Sequence, residues 1–163
     1  MWDNLVVKKV FDYFDLIRLN KPIGFLLLMW PCWFGLALLK IETSKLLFWY
    51  FLFFIGSFLM RSAGCVINDI IDIDFDQKVT RTKLRPLASK KISITEAFLL
   101  LIVLLVISFF ILLEFNFKSI VLGLVSIPFV ILYPFMKRIT FFPQLFLGVI
   151  FSWGVLIVSM QFN

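Results

Sequence analysis

The chain contains no histidine and only two cysteines, and charged residues make up 16% of its 163 positions. Cys32 and Cys65 are far apart and lie in apolar surroundings, without the close spacing of a zinc or redox site. We therefore interpret them as small buried side chains. The scarcity of charge, with 62% hydrophobic residues and a mean hydropathy of +1.04, excludes a soluble domain with a hydrated surface. Lipid must solvate most of this chain.

A targeting segment is also lacking at the start of the sequence. The first 22 residues mix Asp with Lys and Arg and contain no apolar core that ends in a small-residue cleavage site. A bacterial-type inner membrane is therefore the expected location. Within this segment, apolar residues repeat at helical spacing on the face opposite the charged residues. The apolar residues are Val6, Val7, Val10, Phe11 and Phe14. This pattern predicts an amphipathic interfacial segment over 1–22 and a transmembrane domain over 23–163.

Long apolar runs account for most of that domain. A helix of about 17 to 25 apolar residues crosses a bilayer, and five runs satisfy this criterion, at 23–39, 46–67, 97–113, 119–135 and 141–160. The sequence thus predicts an all-α, polytopic transmembrane helical bundle. Prolines inside or at the ends of such spans free backbone carbonyls, which are tolerated beside a cavity. Pro31, Pro128 and Pro134 therefore hint at one.

Lysine and arginine predict the orientation, because basic residues in short loops stay on the cytoplasmic side. If the N-terminus is cytoplasmic, twelve basic residues lie in cytoplasmic segments and only three, Lys40, Lys45 and Lys118, lie outside. We therefore predict that the N-terminus and the loop between the second and third spans are cytoplasmic. The net charge of +6 then needs no nucleic-acid partner to explain it.

One long polar segment, at 68–91, reads NDIIDIDFDQKVTRTKLRPLASKK, with acids first and bases after. Asn68, Asp72 and Asp76 share one helix face if the second span continues as a helix, with Asp69 one position round. Carboxylates at this spacing repel unless a cation joins them. Mg²⁺ takes one or two carboxylates and completes its shell with water and phosphate oxygens. The pattern therefore predicts a magnesium site.

Arginines follow the acids and suit an anionic ligand. Arg81 and Arg85 lie one turn apart if helical, and planar guanidinium groups match phosphate oxygens in bidentate fashion. Together with the acids they predict a diphosphate site, whereas we interpret the lysines of the loop as hydrated charges. Arg61 lies inside its span before three small residues, which favours a role in a cavity over snorkelling to the headgroups.

Three blocks of the sequence are familiar. The run RSAGCVINDIIDIDFDQKVTRTKLRPLAS at 61–89 resembles the first aspartate-rich motif of the membrane-embedded aromatic prenyltransferase superfamily, N-D-x-x-D-x-x-x-D followed by R-T-x-x-R-P. RLNKPIGFLLLMWPCWFGL at 18–36 and YPFMKRITFFPQLFLGVIFSWG at 133–154 resemble its 4-hydroxybenzoate polyprenyltransferase branch. The three blocks are collinear over nearly the whole chain.

The resemblance implies transfer of a polyprenyl group from polyprenyl diphosphate to the ring of 4-hydroxybenzoate in ubiquinone biosynthesis. It implies nine transmembrane helices and two aspartate motifs that hold Mg²⁺, with no organic cofactor. By position, Asn68, Asp72 and Asp76 become the catalytic metal-binding set. The expected substrate-binding residues are then Arg61, Asp69, Arg81, Arg85, Tyr133, Lys137 and Arg138. Without the resemblance, Tyr133 would be a belt residue and Lys137 and Arg138 orientation anchors.

The sequence departs from this family in one respect. The family's second aspartate motif lies farther on, whereas no Asp or Glu follows Glu114 here and about five of nine spans are present. We therefore expect activity to require a C-terminal half, and a fragment, a truncated frame and a split protein all stay open.

Two non-enzymatic hypotheses also stay open, an inactive remnant and a small membrane cation transporter. A transporter would bury its acids at mid-bilayer, whereas these acids end a span beside arginines. Phosphotransferases of CDP-linked alcohols expect a D-G-x-x-A-R run, which is absent. The sequence specifies neither prenyl length, nor the aromatic acceptor, nor oligomeric state.

Overall fold

Helices joined by short loops form the described part of the chain. The computed structural model describes residues 2–162, apart from the side chains of residues 2–6, Lys137 and Arg138. The helices are α1 Trp2–Leu16, α2 Ile23–Ala37, α3 Thr43–Ile71, α4 Ile73–Asp76, α5 Ile94–Leu112, α6 Phe117–Ile139 and α7 Pro143–Phe162. Within residues 2–162 there is no strand, and the predicted all-α fold is confirmed.

Four of these helices, α3, α5, α6 and α7, are long and apolar enough to cross a membrane. They correspond to the second to fifth predicted spans. The first predicted span, 23–39, is helical only over Ile23–Ala37, which is 15 residues. At about 1.5 Å per residue such a helix is shorter than the roughly 30 Å hydrocarbon core. Its buried residues Met29, Cys32 and Leu36 face the bundle, where α2 packs against α3 and α7.

The central element is α3, because α1, α2, α5 and α6 all pack against it. Of its most apolar 18-residue window, 39% is buried, whereas the figure is 11% for α6 and for α7. The small residues after Arg61 allow this close packing, since Ser62 and Ala63 are each only 1% exposed. The helix that carries the predicted site is thus also the most enclosed one.

Two groups of buried side chains hold the helices together. The first, which we call the loop-side core, joins α1, α3, α5 and the loop 77–93; its members are Leu16, Leu59, Ala63, Val66, Leu87, Ile92, Ala97, Leu101 and Leu104. The second, the far core, contains Cys32, Leu36, Leu52, Phe53, Phe115 and Val158. Both cysteines are buried and unbridged, as predicted.

The N-terminal helix α1 docks on protein and also presents an apolar face. Its last residue, Leu16, is fully buried in the loop-side core. Val7, Val10, Phe11 and Phe14 are exposed, which suits the predicted contact with the membrane interface. The side chain of Val6 lies outside the described residues. The predicted interfacial segment is therefore tied to the bundle at its C-terminal end.

Side-chain caps define where the helices after the polar loop begin. At α5, the Ser93 hydroxyl accepts a 3.2 Å hydrogen bond from the Glu96 amide, and the Glu96 carboxylate accepts a 2.9 Å bond from the Ser93 amide. At α6, Asn116 accepts from the Ser119 amide at 2.9 Å and donates to the carbonyl of Met160 at 2.6 Å. The first cap ends the polar loop, and the second joins the start of α6 to the end of α7.

Candidate functional site

The acidic segment lies where the central helix breaks. Helix α3 ends at Ile71, Asp72 has φ −94° and ψ 8°, and α4 begins at Ile73. The second span therefore does not continue as one helix, since four closely spaced aspartates repel and have low helix propensity. Hydrogen bonds from the Asp72 amide to Asn68 O, 3.0 Å, and from the Asp76 amide to Asp72 O, 2.8 Å, nevertheless keep a helical spacing across the break.

Two aspartates and two arginines form a buried network, which we call the acid–arginine cluster: Arg18, Asp69, Asp76 and Arg85. Oδ1 of Asp69 accepts hydrogen bonds from Arg18 Nη2 at 2.6 Å and from Arg85 Nη1 at 3.1 Å. Nη1 of Arg85 also donates to Asp76 Oδ2 at 2.6 Å. The Asp69 side chain is only 2% exposed. Burial of this carboxylate is offset because two guanidinium groups replace its hydration.

Arg18 enters the cluster from the loop between α1 and α2. Its backbone is in the left-handed region, with φ 58°, which is uncommon for a residue other than glycine. The loop is held by the Leu19 amide on Phe14 O at 2.9 Å and by Asn20 Nδ2 on Asp15 Oδ1 at 2.8 Å. Burial lowers the pKa of Arg18, but nearby groups, including the charges of Asp69 and Asp76 and the hydrogen bond to Asp69, raise it, and the net pKa is raised. Arg18 therefore stays charged.

Sequence reasoning did not single out Arg18 as a site residue. Its partner Asp69 is 51 positions away, and no spacing rule connects the two. The signal that could have found it is its position at the head of the first familiar block, 18–36.

A cavity of about 650 Å³ lies between α2, α3, α5, α6 and α7. One group of its lining residues is polar: Arg18, Arg61, Asn68, Arg85 and Tyr133. Most of the remaining wall is apolar, with aromatic side chains at Phe53, Phe109, Phe110, Phe151 and Trp153. The cavity suits a ligand with an anionic head and an apolar tail. Helix α6, which contains Pro128 and Pro134, forms part of this wall.

A second cavity of about 470 Å³ lies against the α1–α2 loop. Arg18 and Arg61 line both cavities, and Asn20, Lys21 and Ser62 add polar groups to the second. Arg61 therefore faces cavities, as predicted. Helix α2 reaches this guanidinium closely because residue 24 is glycine: a Cβ on Gly24 would lie 2.5 Å from Arg61 Nε.

Not all predicted residues come together. Residues 77–93 contain turns and no helix, so Arg81 and Arg85 do not lie one turn apart on a helix. Arg81 is exposed, whereas Arg85 Nη1 lies 3.1 Å from Asp69 Oδ1 and 2.6 Å from Asp76 Oδ2. Asp72 and Asp76 do not belong to the described cavity wall, although Asn68 does. The side chains of Lys137 and Arg138 lie outside the described residues.

The predicted metal site can be compared with the donor atoms present. Among the described residues, no group of three or more Cys, Asp or Glu is arranged to hold a metal ion. Asn68, Asp72 and Asp76 nevertheless supply the oxygen donors that Mg²⁺ prefers, and this ion needs only one or two carboxylates. The donor set fits Mg²⁺, with the qualification that Arg85 already contacts Oδ2 of Asp76.

Residues 28–160 match the model of the UbiA prenyltransferase family, and the chain belongs to this family. Its relatives include the 4-hydroxybenzoate octaprenyltransferase of Blochmanniella pennsylvanica, 43% identical over 158 residues, which are 96% of this chain and 54% of that protein. The mitochondrial 4-hydroxybenzoate polyprenyltransferase of Caenorhabditis elegans is 48% identical over 147 residues, 89% of this chain and 41% of that protein. The 4-hydroxybenzoate octaprenyltransferase of Pseudomonas aeruginosa (strain LESB58) is 44% identical over 151 residues, which are 91% of this chain and 50% of that protein.

The chain thus spans about half of the length of the curated relatives it matches. No solved structure gives a significant match to it.

Proposed function

We propose that this chain supplies one half of an active site that transfers a polyprenyl group from polyprenyl diphosphate to the ring of 4-hydroxybenzoate in ubiquinone biosynthesis. The observation that carries the proposal is the cavity of about 650 Å³, with arginines and Asn68 in one part of its wall and apolar side chains over most of the rest. This distribution of polar and apolar side chains supports binding of a polyprenyl diphosphate. We infer the aromatic acceptor from the relatives, which are 4-hydroxybenzoate prenyltransferases.

Magnesium is the metal that we propose for this site, held by Asn68, Asp72 and Asp76. When bound, it would neutralise negative charge that develops on the leaving diphosphate. Asp76 can serve both the metal and Arg85, because a carboxylate has two oxygens and only Oδ2 contacts the guanidinium. Arg85 is then placed between the acids and the cavity, where it can bind a phosphate oxygen. We propose Arg81, Lys137 and Arg138 as further diphosphate partners on the resemblance alone.

The reaction follows from these parts. The allylic C–O bond of the prenyl diphosphate breaks, and its electron pair leaves with the diphosphate. The ring carbon beside the phenol hydroxyl of 4-hydroxybenzoate forms the new C–C bond, and the ring proton then leaves. The guanidinium groups stabilise the departing anion, and the apolar wall keeps water from the carbocation. Arg61 and Tyr133 lie where they can orient the acceptor, because Arg61 lines both cavities and Tyr133 lines the larger one.

We further propose that the site faces the cytoplasm across a bacterial-type inner membrane, with the N-terminus on the same side. Two ion pairs support this common side: Lys9 with Glu96, and Lys91 with Asp12 at 3.5 Å. They join α1 to the start of α5 and to the polar loop. The excess of basic residues in these segments favours the cytoplasmic side.

The test is a complementation assay. The chain is produced alone, and also together with the part of the Blochmanniella pennsylvanica relative that follows the matched region; we call the second preparation the reconstituted pair. Both are placed in liposomes with radiolabelled polyprenyl diphosphate, 4-hydroxybenzoate and Mg²⁺, and the prenylated product is measured.

We expect product from the reconstituted pair and none from the 163-residue chain alone, because Glu114 is its last carboxylate side chain and leaves one acidic motif. Robust turnover by the chain alone would contradict the need for a second half. A reconstituted pair that forms without yielding product would favour the inactive remnant, and uptake of Mg²⁺ into the liposomes would favour the transporter.

A further inference from the structure

Asp69 is buried behind the polar part of the larger cavity and does not belong to its described wall. Both of its guanidinium partners do, since Arg18 and Arg85 line the cavity. The Asp69 carboxylate is therefore separated from a cavity ligand by the two cations that it binds. A residue in that position acts on a ligand through the arginines.

Arg18 has the features of a held side chain. Its Nη2 lies 2.6 Å from Asp69 Oδ1, and its side chain retains 26% exposure. Its backbone adopts the left-handed conformation with φ 58°. A strained backbone persists only where surrounding contacts maintain it. Here the Asp69 contact and the hydrogen bonds of the loop supply that restraint.

Resting on the proposed function, we propose that Arg18 is a further diphosphate-binding residue and that Asp69 is a positioning residue, which holds Arg18 and Arg85 together at the cavity. Arg18 lies in the loop that precedes α2 in the chain, and Arg85 lies in the loop that follows α4. In this proposal, both loops contribute an arginine to the anionic head. Asp69 uses a single oxygen, Oδ1, for both guanidinium groups, which sets their separation. The other N–H groups of each guanidinium can then donate to phosphate oxygens.

One substitution distinguishes a positioning role from a purely electrostatic one, because the two roles predict opposite changes in anion binding. Asp69→Asn removes a negative charge beside an anion site. If Asp69 acted only through its charge, or kept the arginines from the ligand, this change would strengthen anion binding. If Asp69 positions the arginines, the same change weakens binding, because both guanidinium groups lose their shared anchor.

The experiment measures binding of farnesyl thiodiphosphate, an unreactive prenyl diphosphate analogue, to the 163-residue chain in lipid nanodiscs with Mg²⁺. Quenching of tryptophan fluorescence reports occupancy, since Trp153 lines the cavity. The variants are Asp69→Asn, Arg18→Gln, the double variant and Arg18→Lys, with Lys83→Gln as the control. Lys83 is exposed in the polar loop, and its change to Gln alters the net charge as Arg18→Gln does.

We expect Asp69→Asn and Arg18→Gln each to raise the Kd about tenfold, the loss of one charge-assisted contact. The double variant should bind more weakly than either single variant, but by less than the product of the two effects. Both changes remove the contact between Arg18 and Asp69, and only Asp69→Asn also affects Arg85. Arg18→Lys should fall between wild type and Arg18→Gln, and Lys83→Gln should bind as wild type does. Circular dichroism confirms that each variant keeps its helices. Should Asp69→Asn misfold, Arg18→Gln removes the same contact from the loop side and still tests the proposal.

Tighter or unchanged binding by Asp69→Asn would overturn the positioning role, and unchanged binding by Arg18→Gln would overturn the binding role. Both results presuppose that the wild-type chain binds the analogue. A wild-type chain that does not bind the analogue, alongside a reconstituted pair that yields product, would overturn this inference alone, whereas the absence of both binding and product would overturn the proposed function as well.

Discussion

Two sets of ion pairs lie on the polar-loop side of this protein, and they differ in environment. The acid–arginine cluster has carboxylates that are 2% and 10% exposed, in Asp69 and Asp76. The Lys9–Glu96 pair, which joins α1 to α5, is more accessible, with Lys9 51% and Glu96 30% exposed. Buried pairs are costly to break because the remaining charge is stranded, whereas exposed pairs contribute little. The same chemistry therefore builds the candidate site in one region and only supports docking in the other.

Loss of a metal-binding acid should produce the largest effect. We expect Asp72→Ala and Asp76→Ala each to lower prenyl transfer by the reconstituted pair at least about 100-fold, because neutralisation of the leaving group is lost. Initial rates at saturating substrate measure this. Asp74→Ala is the matched control, since Asp74 lies between the two and is exposed, and Lys90→Ala should be nearly silent. Equal and mild effects at all four positions would return the acids to the status of a hydrated loop.

Removal of the arginine that bridges two acids should affect stability next most strongly. Arg85→Ala leaves Asp76 without its 2.6 Å partner and removes one of the two guanidinium groups that contact Asp69. We expect a loss of about 3 kcal/mol in the free energy of unfolding, as for one partner of a buried pair. Unfolding in mixed detergent micelles measures it, with Arg81→Ala as the exposed control. Equal losses for the two variants would break the contrast between buried and exposed charges.

A methyl group at residue 24 should disturb the site without disturbing the fold. In Gly24→Ala the new Cβ would meet the Arg61 guanidinium, which can move because it is the end of a flexible side chain. We expect the KM for 4-hydroxybenzoate to rise roughly tenfold through this displacement, with little change in unfolding. Gly148→Ala is the control, because nothing lies within 4 Å of a Cβ there. An unchanged KM in Gly24→Ala would show that the position of Arg61 is unimportant.

Separation of the exposed pair should have the smallest effect. Lys9→Gln removes the bond to Glu96, and we expect neither transfer nor unfolding to change measurably, since exposed pairs contribute little. That hydrogen bond raises the pKa of Lys9. Any contribution of the pair is therefore present at neutral pH. It is lost as the pH rises through the pKa of Lys9, and also as the pH falls through the pKa of Glu96, which the same hydrogen bond lowers to about 2. A loss of stability as large as that of Arg85→Ala would erase the distinction between the two regions.

Much of the fold could be predicted, because membrane solvation leaves the chain few alternatives. Backbone polar groups must be satisfied within each span, so long apolar runs become helices. Four runs did so over nearly the predicted ranges. The run at 23–39 formed a shorter helix, and the helix after Arg61 broke at Asp72. Helix ends depend on local caps and charge repulsion, which apolar periodicity does not report.

The candidate site was predictable in its residue types and less so in its partners. The acids, Arg85 and Arg61 could be proposed because their spacing and depth in the span are unusual. Arg81 and Arg85 would lie one turn apart only in a helix, and the chain forms turns there. Arg18 was missed because its role depends on a contact across 51 positions.

Sequence alone determined that this chain is a helical membrane protein with an ordered acidic and basic segment, since hydropathy and charge order are properties of the linear chain. Tertiary structure decided which charges neutralise one another. Asp69 became an anchor for arginines because α3 and the α1–α2 loop bring Arg18 to 2.6 Å from it, and Arg85 turned inward onto two carboxylates. Charges buried away from water must find partners in space, and only the packing of the helices determines which partners are near.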